Sequence, residues 1–223
     1  MSGVPVVLVP GAFRGAWMWE RVTPLLAAAG LDPRPVDLPG RPGERPPSMA
    51  DWVGELVATC DRRPRSTVVV GHSMGGVVAQ ACTGHTDRIR GLVLLDAPIV
   101  RTGQRAVDVS GGSGAPLPPA DLWIEPRPVG ANEGFVTDEL ATWVNQRLAP
   151  TPVRPSLDEL SVDDDVPRTV VFFDRTPSFF PSARSRATLD AEGGAYVTVD
   201  THHDGPLLVP DAVASAIVEA VRT

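Results

Sequence analysis

The sequence predicts an α/β fold: a mostly parallel sheet of about six strands with helices on both faces. One observation is a series of continuous β-branched and apolar runs, at residues 6–9, 67–70, 92–95 and 169–173, typical of parallel strands covered on both sides. A second is that stretches with apolar residues at helical spacing separate most of these runs at short intervals. Because functional groups in such sheets collect beyond the carboxyl ends of the strands, those ends are where a site is expected.

The elements up to residue 95 follow from simple local signals. Apolar residues at i, i+3 and i+4 indicate helices, and a glycine after the last of them indicates a helix end, as Gly30 does. Proline-rich residues 41–47 predict a surface loop, and Ser48 is placed to cap the helix that follows. The expected elements are a strand at 6–9, a helix at 17–29, a short strand at 35–40, a helix after Ser48, a strand at 67–70, a helix after Gly75 and a strand at 91–95.

Residues 98–166 interrupt the alternation, and we interpret them as a small cap insertion within one domain that spans residues 1–223. Residues 110–119 are rich in Gly, Ser and Pro and are expected to be mobile, whereas residues 135–148 predict one helix. The remaining expected elements are a strand at 169–174, a helix at 182–191, a strand at 195–199, a loop at 201–205 and a helix from 210 to 221.

Composition excludes several classes of function. The net charge is −7 with both signs interspersed, so no basic stripe indicates nucleic acid or an anionic membrane surface. All 20 basic residues are arginine, which excludes a lysine Schiff base. We therefore expect no cofactor and a small-molecule substrate, and the oligomeric state stays open.

The expected location is the cytoplasm. The first residues lack the basic and apolar regions of a signal peptide, and no later apolar stretch has the length of a membrane span. Cys60 and Cys82 fall inside expected helices, without a second cysteine at metal-ligand spacing. We interpret both as buried core residues in a reducing compartment and expect no metal site.

The motif with the clearest chemistry is Gly71-His72-Ser73-Met74-Gly75. It matches the G-x-S-x-G nucleophile elbow, in which a serine lies at a strained turn between a buried strand and a helix. The surrounding sequence supplies that context, because a β-branched run precedes the motif and apolar residues at helical spacing follow it. Ser73 is therefore the predicted nucleophile.

A serine hydroxyl needs a base, and the chain has 4 histidines. His72 lies inside the motif with its side chain expected to point away from that of Ser73, and His85 lies at the far end of the next helix. His202 and His203 follow the last expected strand, at the carboxyl edge, so either can reach the serine. The residues alone leave these two histidines as alternatives.

Four further segments accompany the motif and resemble those of a known family. They are Val7-Leu8-Val9-Pro10-Gly11-Ala12, Gly15-Ala16-Trp17-Met18-Trp19, Asp37-Leu38-Pro39-Gly40 and Leu148-Ala149-Pro150-Thr151-Pro152. Over nearly its whole length the chain resembles the plant methylesterase and hydroxynitrile-lyase type of α/β-hydrolase. The order of nucleophile first and histidine last also agrees with α/β-hydrolases.

The resemblance implies an α/β-hydrolase fold and a Ser–His–acid triad. It favours His203 as the base, since His203 stands seven residues before Pro210, as the family's catalytic histidine does. Pro10 departs from the family, which usually has histidine there. The resemblance also implies that the oxyanion hole is formed by the N–H groups of Ala12 and Met74, and we expect Phe13, Trp123 and Trp143 to line the substrate pocket.

The acid is where the sequence departs most from the family. Family members carry an aspartate in the loop after the penultimate strand, but alignment on Pro181 places Thr176 or Pro177 there. Asp174 is nearby and can serve after a local shift. Asp96, which ends the strand after the elbow helix, is an equally weighted candidate.

Three functions are compatible with these residues. The first is a serine-dependent hydrolase that cleaves a small carboxylic ester or thioester through an acyl-enzyme. The second is a cofactor-free biosynthetic lyase, dehydratase or cyclase that uses the same serine and histidine; the cyanohydrin-cleaving lyases that resemble this chain carry lysine where it has Asp204. The third is a non-catalytic homologue that retains the pocket for ligand binding.

Overall fold

A six-stranded parallel sheet forms the centre of the molecule. The structure, a computed structural model, describes residues 3–110 and 116–222. The strands are β1 (Val4–Val9), β2 (Leu31–Pro35), β3 (Thr67–His72), β4 (Ile89–Leu95), β5 (Trp123–Ile124), β6 (Thr151–Pro152), β7 (Arg168–Phe173) and β8 (Val197–Val199). The strand order of the sheet is β2-β1-β3-β4-β7-β8, and a separate antiparallel pair, β5 with β6, lies in the segment between β4 and β7.

Helices cover both faces of this sheet, as the sequence predicts. They are α1 (Thr23–Ala28), α2 (Met49–Asp61), α3 (Met74–Cys82), α4 (Ala106–Val109), α5 (Asp138–Asn145), α6 (Pro181–Glu192), α7 (Gly205–Leu208) and α8 (Pro210–Arg222). Side chains alternate between the faces: Val7 and Val9 of β1 belong to the cluster with α2 and α3, whereas Val6 and Leu8 belong to the cluster with α1, α5 and α8. The α/β class, with its mostly parallel sheet, is confirmed.

Two predicted boundaries near the N-terminus are wrong. The strand expected at residues 35–40 is β2, Leu31–Pro35, whose residues pair in register with β1 from Val4 onward. Its prolines suit this edge position because they need no ladder partner on the open side. The helix expected at residues 17–29 divides into a 3-10 turn at Ala16–Trp19 and helix α1, since Pro24 starts a new helix in its first turn.

The helix expected at residues 135–148 is shorter. Helix α5 begins after Thr137, whose side chain accepts a hydrogen bond from the Leu140 N–H. Val136, which lies within the expected range, precedes the observed helix and is 87% exposed, whereas Phe135 and Val144 are buried in the core. Part of the segment expected to be mobile, residues 111–115, lies outside the described residues.

The predicted cap of α2 and the predicted burial of both cysteines are confirmed. Ser48 caps α2 in a capping box with Asp51, and α6 ends at Gly193, which has a φ of +67°. Cys60 and Cys82 are free and buried, and burial raises the pKa of both thiols, that of Cys60 to about 11. Within residues 3–110 and 116–222, no helix is long and apolar enough to span a bilayer, and no cluster of three or more His, Cys, Asp and Glu could hold a metal ion.

Candidate active site

Ser73 lies at the turn between β3 and α3 with φ +52° and ψ −121°. Its N–H donates to the Leu95 carbonyl at 3.1 Å, and its own carbonyl accepts from the Gly76 N–H at 2.9 Å. Such a φ is unfavourable for a residue with a side chain, and the surrounding structure must hold it in place. A Cβ on Gly71 would lie 2.5 Å from the Gly75 carbonyl oxygen, so glycine is needed for the tight turn.

Backbone strain of this kind is concentrated at one edge of the sheet. The non-glycine residues with positive φ in the described chain are Phe13 at +65°, Ser73 at +52° and Asp96 at +44°. They follow the carboxyl ends of the adjacent strands β1, β3 and β4. Strained residues that cluster in this way are typical of functional sites.

Asp96 and His203 form the hydrogen bond that a triad requires between acid and base. The Nδ1 atom of His203 lies 2.5 Å from Oδ2 of Asp96, which is only 2% exposed. Burial by itself would raise the pKa of Asp96, but the hydrogen bond and charge of His203, together with Thr176, hold that pKa below its ordinary value. With Nδ1–H donated to Asp96, Nε2 is the ring atom that remains for a serine proton.

The structure separates the two acid candidates. Asp174 is exposed beyond the end of β7, and its Oδ1 accepts a hydrogen bond from Nη1 of Arg186 at 2.8 Å. The histidine bonds instead to Asp96, and Thr176, at the position that alignment gave to the family's acid, donates its hydroxyl to Asp96 Oδ2 at 2.6 Å. Sequence reasoning passed over Thr176 because it is not an acid.

The other histidines make different contacts. His72 is buried, and its Nε2–H donates to the His203 carbonyl at 2.8 Å, so it supports the backbone of the predicted base. Burial, and then the charge of His203, lower the pKa of His72 to about 3, which keeps it neutral. His202 lies against Gly134 of the insertion, and its buried Nδ1 has no hydrogen-bond partner among the residues that the structure describes.

The two expected oxyanion donors lie at the edge of the sheet beside Ser73. Across the described chain, no protein group accepts a hydrogen bond from the Ala12 or Met74 N–H. The neighbouring Phe13 N–H, in contrast, donates to Oγ1 of Thr151 at 3.1 Å, and the Phe13 carbonyl accepts from the Ala149 N–H. The segment next to β6 thus fixes the turn that carries Ala12.

A cavity of about 80 Å³ lies beside these donors. Ala12 and Met74 line it together with Phe13 and Trp123, which were expected there, and with Trp52 from α2. Trp143 is not among the lining residues: its ring packs edge to face on Trp17 at 5.4 Å, with the Arg147 guanidinium 4.1 Å from its centroid. This aromatic side chain therefore contributes to packing of the insertion.

A buried ion pair joins the two loops that carry the expected oxyanion turn and base. Nε and Nη2 of Arg14 donate to the two carboxylate oxygens of Asp204 at 3.0 and 2.8 Å. Burial opposes ionisation of Asp204, but the charge and hydrogen bonds of Arg14 hold its pKa below the ordinary value. Sequence reasoning missed this pair, because Arg14 and Asp204 lie 190 positions apart in the chain.

The chain is similar in sequence to several named enzymes. The chain is 26% identical to the pFDCC methylesterase MES16 of Arabidopsis thaliana, covering 96% of this chain and 93% of that protein. It is 27% identical to a pheophorbidase of Raphanus sativus, covering 99% of this chain and 95% of that protein. An alpha-hydroxynitrile lyase of Arabidopsis thaliana is 31% identical over 106 residues, which is 41% of this chain and 38% of the lyase.

A solved structure of one of these relatives has the same fold as this chain. The crystal structure of the methylesterase MES16 from Arabidopsis matches with a TM-score of 0.77 at 25% identity, covering 98% of this chain and 99% of that one. The family model described as the alpha/beta hydrolase family matches residues 6–216, nearly the whole chain. The chain therefore belongs to the alpha/beta hydrolase family of enzymes.

Proposed function

We propose that this protein is a serine esterase that hydrolyses a small carboxylic ester or thioester through an acyl-enzyme. The observation that carries the proposal is the 2.5 Å bond between His203 and Asp96 at the sheet edge where Ser73 is held at positive φ. The two full-length relatives, named as a methylesterase and a pheophorbidase, support ester cleavage.

In the proposed reaction, Oγ of Ser73 attacks the ester carbonyl while Nε2 of His203 takes the serine proton. Asp96 holds Nδ1–H and stabilises the imidazolium that forms. The N–H groups of Ala12 and Met74 bind the oxyanion of the tetrahedral intermediate. His203 then protonates the departing alcohol or thiol, and a water molecule hydrolyses the acyl-serine by the same steps, which returns the proton to Ser73.

The cavity beside the oxyanion donors supports a small substrate group. An engineered protein cavity of roughly 150 Å³ accepts benzene. The cavity here, about 80 Å³, is smaller and is lined by Phe13, Trp52 and Trp123 among others. We propose that it takes a short aliphatic part of the ester, beneath the part of the insertion that contributes Trp123 and residues 149–152 to the lining.

The first test is substitution of the nucleophile. Ser73→Ala removes the attacking oxygen, so it should abolish turnover of a short aryl ester and labelling by a fluorophosphonate probe. Ser215→Ala is the matched control, because Ser215 is exposed on α8. Unchanged turnover in Ser73→Ala would contradict the proposal.

Product analysis in labelled water separates hydrolysis from the alternatives that use the same residues. Hydrolysis places the water oxygen in the carboxylic acid, whereas a lyase, dehydratase or cyclase need not. Asp204 stands where the cyanohydrin-cleaving lyases carry lysine. Its side chain is a carboxylate paired with Arg14, so it does not supply the positive charge that a lysine would have at this position. Absence of probe labelling together with ligand binding would indicate the non-catalytic homologue instead.

A further inference from the structure

Thr176 contacts the proposed triad acid but has no role in the proposed reaction. Its hydroxyl donates to Oδ2 of Asp96 at 2.6 Å, and the same oxygen bonds to Nδ1 of His203 at 2.5 Å. We propose that Thr176 is a positioning residue, whose hydroxyl fixes the Asp96 carboxylate in the orientation that receives Nδ1–H of His203. This inference rests on the proposed serine-esterase function.

The hydrogen bonds of Asp96 show why one hydroxyl matters. A carboxylate has about four acceptor positions, and burying it is unfavourable unless donors occupy them. The side chain of Asp96 accepts from His203 and Thr176 at short distance and from the Phe173 N–H at 3.4 Å. Without the hydroxyl, His203 would be the one short donor to this buried carboxylate, whose other contact is the longer bond from the Phe173 N–H.

The loop that carries Thr176 is fixed to the rest of the site. The Thr176 N–H donates to the Phe173 carbonyl at 3.1 Å, and the preceding Arg175 N–H donates to the Thr201 carbonyl at 2.9 Å. Four residues further on, the Phe180 ring lies 4.2 Å from the His203 ring. The hydroxyl is therefore presented by a loop that also contacts the base.

The position of Thr176 explains how the site works with a displaced acid. Alignment with the family places the acid of the triad in the loop that carries Thr176. Asp174, two residues before Thr176, instead bonds to Arg186 at the surface. The acid comes instead from the end of β4, and the loop supplies a donor to it. The ends of β4 and β7 thus both contribute to the proposed triad. The end of β4 supplies the carboxylate of Asp96, and the loop after β7 supplies the hydroxyl of Thr176 that bonds to it.

The other titratable groups around His203 do not contact Thr176 in the described chain. The His72 ring lies 4.7 Å from the His203 ring, and Asp204 is paired with Arg14. Substitution of Thr176 changes none of these groups directly. A change in the pH profile of such a variant therefore reports on the His203–Asp96 pair.

The test compares Thr176→Val, which keeps the shape and removes the hydroxyl, with Thr176→Ser, which keeps the hydroxyl. Thr176→Val should lower kcat about 10-fold, because hydrogen bonds to charged groups are strong, and leave KM nearly unchanged. The acid limb of kcat/KM should move to higher pH, since Asp96 no longer shares its charge with a second short donor. Thr176→Ser should retain both wild-type values.

A second measurement does not depend on turnover. The proton between His203 and Asp96 should give a downfield NMR signal in the unliganded protein, and this signal should shift in Thr176→Val but not in Thr176→Ser. If Thr176→Val fails to fold, Thr176→Ala removes the same hydroxyl with less bulk. Wild-type kcat, pH profile and NMR signal in a folded variant without the hydroxyl would overturn the inference, whereas activity independent of Ser73 would overturn the proposed function instead.

Discussion

Two aspartates end neighbouring strands of the sheet in almost the same local sequence, yet their surroundings differ. Asp96 follows Leu94-Leu95 at the end of β4, has positive φ, and is buried against His203 and Thr176. Asp174 follows Phe172-Phe173 at the end of β7 and is exposed beside Arg186. The strand β4 lies between β3 and β7, so its end reaches the centre of the site, whereas β7 lies one strand further out. Position within the sheet, more than residue type, therefore decides which carboxylate can serve a histidine.

Paired substitution of the two aspartates gives the largest expected effect. Asp96→Asn leaves His203 with a partner that cannot stabilise the imidazolium, so kcat should fall by about 10³- to 10⁴-fold. Asparagine tolerates positive φ, which limits any effect on the backbone. Asp174→Asn, at an exposed site, should change kcat by no more than about twofold. Steady-state kinetics on a short aryl ester measures kcat for both variants. Equal losses of kcat would contradict a role for Asp96 that Asp174 does not have.

The same contrast between buried and exposed carboxylates applies to Asp204 and Asp200. Asp204→Asn breaks the buried pair with Arg14 and leaves a guanidinium without its counter-charge, which should lower the free energy of unfolding by about 3 kcal/mol or more. Asp200 pairs with Arg175 at the surface, so Asp200→Asn should leave stability essentially unchanged. Urea denaturation tests this pair of variants. Similar midpoints for both would contradict the role given to the buried ion pair.

A smaller effect is expected from pH, through His72. Its pKa of about 3 in the folded protein lies below the ordinary histidine value of 6.5, so the unfolded chain binds the proton more readily. The stability from neutral His72 is present above pH 6.5 and is lost as pH falls toward 3; between pH 6.5 and 4.5 the loss should be about 2 kcal/mol.

The matched variants for this prediction are His72→Gln, which keeps an amide donor for the His203 carbonyl, and His85→Gln at an exposed position. Unfolding should depend less on pH in His72→Gln than in the wild type or in His85→Gln. Parallel curves for all three proteins would rule out His72 as the source of acid sensitivity.

The elbow was predictable from sequence because its signal is local. The β-branched run at residues 67–70, the glycines on either side of Ser73 and the apolar spacing after it each restrict the backbone in the same way. The parallel sheet and its alternation with helices followed from similar local patterns. The boundaries of β2 and α5 were less accurate, since pairing with β1 and the cap at Thr137 fixed them instead.

The partners of the site residues could not be read from sequence to the same degree. Asp96 and Asp174 each follow an apolar run, and the orientation of their side chains depends on neighbouring strands and on the φ of Asp96. The contacts of Thr176 with Asp96 and of Arg14 with Asp204 join residues 80 and 190 positions apart. A single sequence gives no local signal for contacts of this range.

The long sequence separation of these contacts has a consequence for folding. Asp96 and His203 are 107 residues apart, and Arg14 and Asp204 are 190 apart, so large loops must close before either contact forms. During synthesis, β1, β3 and β4 emerge well before the loop that carries His203. A nascent chain can therefore present Ser73 on a partly assembled sheet before His203 has been placed beside Asp96, and the loops of Arg14 and Asp204 would meet in a late step of folding.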